Sequence, residues 1–235
     1  MASPSNSTDT TADRRLMLTR AWLAAAGLIL MVSATALGGW AFALGNDPFE
    51  VDVWWNAWLL DWESAFMLAF SQTMNFIGGG WFSVFVVPLV GALALVLDKR
   101  RWAAVYLLAS LAASALMVQL LKHLFARGRP EEILILSDFG SYPSGHVANA
   151  ATLAVVALVI YPRVWVFIVG AVWVVLMAIS RTYLHAHWLS DTLGGACIGG
   201  GVALLVGAMF VGKLAAESRR RSGGSQALAD TATQP

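Results

Sequence analysis

Charge and cysteine are both scarce in this chain. Only 12% of its 235 residues are charged, against 58% that are hydrophobic, and that balance excludes an ordinary soluble domain of this size. The single cysteine, Cys197, excludes an intrachain disulfide and a cysteine-based metal site, and sulfur gives no reading of compartment. It is read as filling space in the last apolar segment. The sequence has no internal repeat and no glycine loop of the nucleotide-binding kind, and no nucleic-acid partner is expected.

What is abundant is apolar sequence in long runs. A helix crossing the hydrocarbon core needs about 20 mostly apolar residues. Six windows meet or approach that length: 21–44, 80–97, 102–121, 147–161, 164–179 and 189–211. The expected fold is therefore an all-α membrane protein with six transmembrane helices. The fourth window is short and needs tilt or its flanks to span. Arg14 and Arg15 ahead of Leu16 look like a twin-arginine signal, but the first apolar core is too long for the h-region of a cleaved peptide. The polar tails, 1–13 and 219–235, are rich in Ser, Thr and Ala and are expected to be disordered, leaving 14–218 as one membrane domain.

An even number of crossings puts both termini on one side, where the positive-inside tendency gathers Lys and Arg. Arg14, Arg15, Arg20, Lys99, Arg100, Arg101, Arg163, Lys213, Arg219, Arg220 and Arg221 all fall there. Lys122, Arg127, Arg129 and Arg181 do not. These four share the opposite face with His123, His146, His185 and His187, which suggests an anion site. The other outward segment, 46–63, carries Asp47, Glu50, Asp52, Asp61 and Glu63, as outward loops commonly do.

Three segments on that face carry the chemistry. From Lys122 to Pro130, three cations lie within eight residues; Arg offers a planar fork for phosphate oxygens and Lys a mobile point charge. The same residues would serve equally as snorkelling interface anchors. In Tyr142-Pro143-Ser144-Gly145-His146, Ser144 is placed as a helix N-cap, Gly145 lets a ligand approach the backbone, and the first free N–H groups face an anion. A plain cap beside an incidental histidine has the same sequence. From Ser180 to Asp191, a helical reading puts His187 and Asp191 on one face, so that the carboxylate accepts the Nδ1 proton and leaves Nε2 as a nucleophile. His185 points elsewhere and is read as structural. Imidazoles and a carboxylate also suit a metal ion, but the nearby cations favour a phosphate. Alternating crossings bring all three segments together, so the active site is expected at the outer ends of helices 3 to 6.

The three segments resemble the signature of the type 2 phosphatidic acid phosphatase superfamily: Lys-x6-Arg-Pro, then Pro-Ser-Gly-His, then Ser-Arg-x5-His-x3-Asp. Lys122 through Arg129-Pro130, Pro143 through His146, and Ser180-Arg181 through His187 and Asp191 match it in order and spacing. The resemblance implies Lys122, Arg129 and Arg181 as phosphate ligands, Ser144 and Gly145 as further donors, His146 as general acid, His187 as nucleophile and Asp191 as its orienter. Arg127 lies outside the strict pattern and is a further candidate, for the lipid phosphate or the bilayer surface. Also implied are a phosphohistidine intermediate, no metal and no cofactor. The expected setting is a bacterial inner membrane, with both termini cytoplasmic and the site facing the periplasm or exterior. The expected substrate is a lipid phosphate, with undecaprenyl diphosphate first and phosphatidylglycerol phosphate or phosphatidic acid next. Phosphoryl transfer to another lipid or sugar and a non-catalytic transporter or lipid-binding role are the other readings.

Two patterns lie outside these motifs. Trp54, Trp55, Trp58 and Trp62 fall near one side of a helix over 51–62, with Asp52, Asn56 and Glu63 toward another, which fits an interfacial segment that guides a headgroup or simply anchors the protein. Gly194, Gly195, Gly199, Gly200 and Gly201 have the small-xxx-small spacing of close helix packing, and Gly78 to Gly80 reads as a break before the second helix.

Overall fold

The computed structural model describes the backbone of residues 6–62 and 64–232, and among these every regular element is helical. The order is α1 (Asn6–Ala43), α2 (Glu50–Leu60), α3 (Ala65–Gly78), a π-helical turn (Phe82–Val86), α4 (Val87–Leu97), α5 (Arg101–Phe125), α6 (Gly145–Ile160), α7 (Val164–Tyr183) and α8 (Leu189–Ala232). Neither α1 nor α8 contains a proline to stop it, so the described parts of both tails, from Asn6 and up to Ala232, continue as helix rather than ending at the apolar windows. Residues 1–5 and 233–235, where disorder was also expected, lie outside the described residues.

Length and composition do not by themselves account for all six expected spans. Among the described residues, four helical stretches are long and apolar enough to cross a membrane: Asp13–Ala43, Arg101–Phe125, Val164–Tyr183 and Leu189–Arg221. A fifth span requires Ala65–Gly78 and Phe82–Leu97 to be taken together, bent by 43°. The window at 80–97 is thus only the second half of a broken element. The break falls at Gly79 and Gly80, the latter at φ +59, a left-handed conformation that glycine adopts without strain. Helix α6 has 16 residues, about 24 Å of rise, which is short of a hydrocarbon core of about 30 Å.

Its packing explains how so short a helix is held. α6 lies against α5, α7 and α8, and its neighbours come close because small residues face it. A Cβ on Gly195 would lie 2.5 Å from the Ser144 carbonyl oxygen, and one on Gly199 would collide with that of Ala148. Thr152 Oγ1 lies 2.9 Å from Ser114 Oγ and 3.2 Å from the Gly199 carbonyl oxygen, joining α5, α6 and α8. Gly201 meets Gly27 where α8 crosses α1, as a Cβ there would lie 3.0 Å from the Gly27 carbonyl oxygen. The glycine spacing therefore serves close approach, as expected.

Helix α2 carries Trp54, Trp55 and Trp58, and Trp62 follows its end. Trp54, Trp58 and Trp62 are exposed, and the rings run Trp54–Trp55–Trp58–Trp62 with centroids 6.1, 5.2 and 5.1 Å apart. The polar face does not lie in water. Asp52 is fully buried, and Asn56 bonds to Glu132 at 3.2 Å and to His185 Nδ1 at 2.7 Å. Glu63 lies outside the described residues.

Candidate active site

Four helix ends and two connecting segments converge on one face. α5 contributes Lys122 from its last turn and then stops at Ala126, whose φ of +47 closes the helix with its N–H donating to the Lys122 carbonyl at 2.9 Å. α6 begins with Ser144 at the N-cap, α7 ends with Arg181, and α8 begins two residues after His187. A cavity of about 250 Å³ lies between them, lined by Lys122, Gly145, His146, Arg181 and His187, among others. Arg129 reaches in from the loop, its Nη1 3.4 Å from His187 Nε2. Ser144 Oγ and Arg181 Nε are buried without a hydrogen-bond partner, so both can serve a bound anion at no cost to existing bonds.

The histidine geometry fixes tautomers. His187 Nδ1 is 2.8 Å from the Ser141 carbonyl, an acceptor only, so Nδ1 carries the hydrogen and Nε2 keeps the lone pair that faces Arg129 Nη1. His146 Nε2 lies 3.2 Å from the Asn75 carbonyl, which makes it an N–H donor by the same logic. Burial pushes the His187 imidazole well below its ordinary pKa, and the positive charges of Arg181, Arg129 and Lys122 add to the effect. A neutral imidazole beside fixed cations is a nucleophile that stays unprotonated.

Asp191 does not act as the spacing suggested. His187 precedes α8 rather than riding on it, and Asp191 Oδ2 is 3.7 Å from Nδ1, beyond good hydrogen-bond distance. The carboxylate instead accepts from the Trp188 N–H at 2.9 Å and from Arg127 Nη1 at 2.7 Å. It shapes the loop that carries His187 and adds negative charge behind the ring.

Arg127 is not at the bilayer surface and does not face the cavity. Its side chain is fully buried between Asp52 and Asp191, at 2.9 and 2.7 Å, and Ser190 Oγ is 2.7 Å away. Asp52 in turn accepts from Ser190 N at 2.8 Å and Ser190 Oγ at 2.6 Å. This network ties α2 to the start of α8. His185, at φ +50, turns its ring to Asn56 and away from the cavity, while His123 is exposed. Among the described residues, no three His, Cys, Asp or Glu side chains come together as metal ligands.

Three residues escaped the sequence reading. Asn75, from the unforeseen α3, accepts a hydrogen bond from Arg181 through its side chain and meets His146 through its carbonyl. Asp138 bridges Lys122 and Arg129, each at 2.9 Å. Burial alone would raise its carboxyl, but those two cations outweigh it and hold the carboxyl below the ordinary range. Ser141 supplies the carbonyl that orients His187. None belongs to a recognisable pattern, although Asp138 is one of only three acidic residues between Pro130 and Ser144.

Comparisons with known proteins identify a family and several relatives. Residues 103–214 match the model of the PAP2 superfamily. Over 158 residues the chain is 30% identical to the decaprenylphosphoryl-5-phosphoribose phosphatase of Mycobacterium tuberculosis, covering 65% of this chain and 86% of that protein. Over 124 residues it is 31% identical to an undecaprenyl-diphosphatase of Sulfolobus acidocaldarius, covering 49% of this chain and 59% of the relative. Two further curated relatives are likewise matched over 66% and 65% of their own length, so the chain spans just under two thirds of them. The crystal structure of a PAP2 type phosphatidylglycerolphosphate phosphatase from Bacillus subtilis superposes with a TM-score of 0.67 at 22% identity, over 77% of this chain and 93% of that one. That likeness is one of fold.

Proposed function

Because this chain belongs to the PAP2 superfamily, we propose that it is an integral membrane lipid phosphatase that works through a phosphohistidine and without a metal ion. One observation carries the reading: the buried His187, the partly buried His146, Lys122 and Arg181 line a single cavity, and Arg129 reaches His187 beside it. His187 Nε2 attacks phosphorus, and the N–P bond forms as the bond to the lipid oxygen breaks. Lys122, Arg129 and Arg181 bear the charge on the remaining oxygens, with Ser144 and Gly145 as further donors. His146, entering the step as the imidazolium, protonates the departing lipid oxygen, then takes a proton from the water that attacks the phosphohistidine, and inorganic phosphate leaves.

Charge distribution supports an outward-facing site in a bacterial inner membrane, with both termini cytoplasmic. Lys122 lies 21 residues beyond Arg101 on α5, about 32 Å of rise, close to the thickness of the hydrocarbon core. Lys99, Arg100 and Arg101 thus mark the opposite membrane face, where the positive-inside rule puts the cytoplasm. Undecaprenyl diphosphate is the first substrate to test, since two of the relatives are named for polyprenyl-linked phosphates. Phosphatidylglycerol phosphate is the second, and phosphatidic acid the third.

The experiment is phosphate release in EDTA by detergent-purified protein, comparing wild type with His187→Ala on these lipids. Release that persists in EDTA and vanishes in the variant is the expected result. Release abolished by EDTA, or retained by His187→Ala, rejects the mechanism. Transfer of phosphate to an added lipid or sugar acceptor in place of water would make the protein a phosphotransferase.

A further inference from the structure

We propose that Asp138 is a built-in competitor for the phosphate clamp, and that the strap carrying it, 131–140, makes the site select phosphates attached to a lipid. This rests on the phosphatase reading of the site and adds a residue that governs which phosphates enter.

The Asp138 carboxylate lies where a phosphate must bind. Lys122 Nζ is 2.9 and 3.0 Å from its two oxygens, and Arg129 Nη2 is 2.9 Å from the first of them. The same two cations also donate to the Gly140 carbonyl, at 3.0 and 2.7 Å. Carboxylate and phosphate oxygens are equivalent partners for these groups, and the hydrogens that point at Asp138 cannot point at a substrate as well. The strap approaches closely because Gly140, at φ +71, runs beside Lys122; a Cβ there would lie 3.1 Å from the Lys122 carbonyl oxygen.

The strap is built to be displaced. It contains no helix or strand. It is tied to the body by Asn56 Nδ2 to Glu132 Oε2 at 3.2 Å and Leu134 N to the Leu184 carbonyl at 3.1 Å, and just beyond its end by Ser141 N to the Arg127 carbonyl at 2.8 Å. Between Leu134 and Ser141, its tip is held by the bonds that Lys122 and Arg129 make with Asp138 and Gly140 and by the Phe139 ring, 5.4 Å from that of His123. Asp138 is 57% exposed, so water and salt weaken its hold. Around it, Leu134, Leu136 and Phe139 are exposed, Leu136 wholly so, and Leu136, Ser137 and Asp138 all line the cavity. A phosphate with an apolar tail can cover Leu136 and Phe139 as it expels Asp138, whereas free phosphate or a soluble ester must displace the carboxylate with no such gain.

Two screened ion pairs set the scale, roughly twofold to thirtyfold in phosphate affinity. Titration of inorganic phosphate into the full-length protein in detergent should therefore show Asp138→Asn binding tighter by that factor, with Asp138→Glu close to wild type. On a soluble phosphate ester, Asp138→Asn should lower KM more than it changes kcat. Leu136→Ser, at a position too exposed to affect folding, should reduce kcat/KM for a lipid phosphate severalfold more than for the soluble ester. Phosphate affinity that is unchanged or weaker in Asp138→Asn overturns the competitor, and equal losses on both substrates in Leu136→Ser overturn the strap's selectivity. Phosphate binding needs no turnover, which separates the two readings. Tighter binding in a protein that hydrolyses nothing keeps the competitor and rejects the phosphatase. Normal hydrolysis with unaltered phosphate binding does the reverse.

Discussion

Arg127→Met removes the charge that stands between Asp52 and Asp191, and its cost can be worked from the contacts. The arginine and both carboxylates are fully buried, so no water replaces the lost partner. Breaking a buried pair from one side costs about 3–5 kcal/mol, because an uncompensated charge stays behind. Methionine retains most of the stem, so the cavity term is small, although the guanidinium carbon that lies 5.3 Å over the Phe49 ring is lost. At about 2–4 °C per kcal/mol for a chain of this size, the unfolding midpoint should fall by roughly 6–20 °C. Heating in detergent while following tryptophan fluorescence measures this, with α2 supplying three reporters, Trp54, Trp55 and Trp58. Asp52→Asn alone should also destabilise, because the amide turns a donor toward donors. Combined with Arg127→Met it should add less than it does alone, since the pair is already broken. A fall under about 2 °C, or strictly additive effects, would refute the account of a network that locks α2 to α8.

The depressed pKa of His187 gives a pH signature. The acid limb of kcat/KM, which reports the free enzyme, should lie below pH 6.5, and a limb above pH 7 would contradict the neutral, cation-flanked nucleophile. Because the unfolded chain binds this proton more readily than the folded one, stability should be intact at neutral pH. It should then decline as pH falls from the unfolded value of about 6.5 toward the lower folded value; chemical denaturation across that range would show it. Ser144→Ala removes a hydroxyl with no partner, so the midpoint of unfolding should hold steady while phosphate affinity weakens by roughly fivefold, the value of one hydrogen bond. Gly79→Ala should depress kcat by driving a methyl into the His146 imidazole; kcat close to wild type would show that His146 has room to move.

How far the site was legible depended on the reach of each interaction. Lys122, Arg129, Ser144, Gly145, His146, Arg181 and His187 were readable because each belongs to a segment whose residue types have few other reasons to occur together at a helix end. All seven meet at or beside the cavity. Residues that act through a distant partner were not readable. Asp52 and Arg127 are 75 positions apart, and Arg181 and Asn75 are 106 apart. An acidic residue on an interfacial helix looks the same in sequence whether it faces water or a buried guanidinium.

Sequence alone determined the apolar setting, the helical class and which charged and imidazole side chains gather at the cavity, because apolar run length and local residue type need no knowledge of neighbours. Tertiary structure decided the rest. It broke the second span at Gly79 and brought α3 to the site. It moved the orienting acceptor of His187 from Asp191 to the Ser141 carbonyl, and it set Asp138 between the two cations. Each of these depends on which backbone and side-chain groups are brought within about 3 Å by packing, and helix ends that converge from six segments satisfy their polar groups by proximity in space, whatever their separation along the chain.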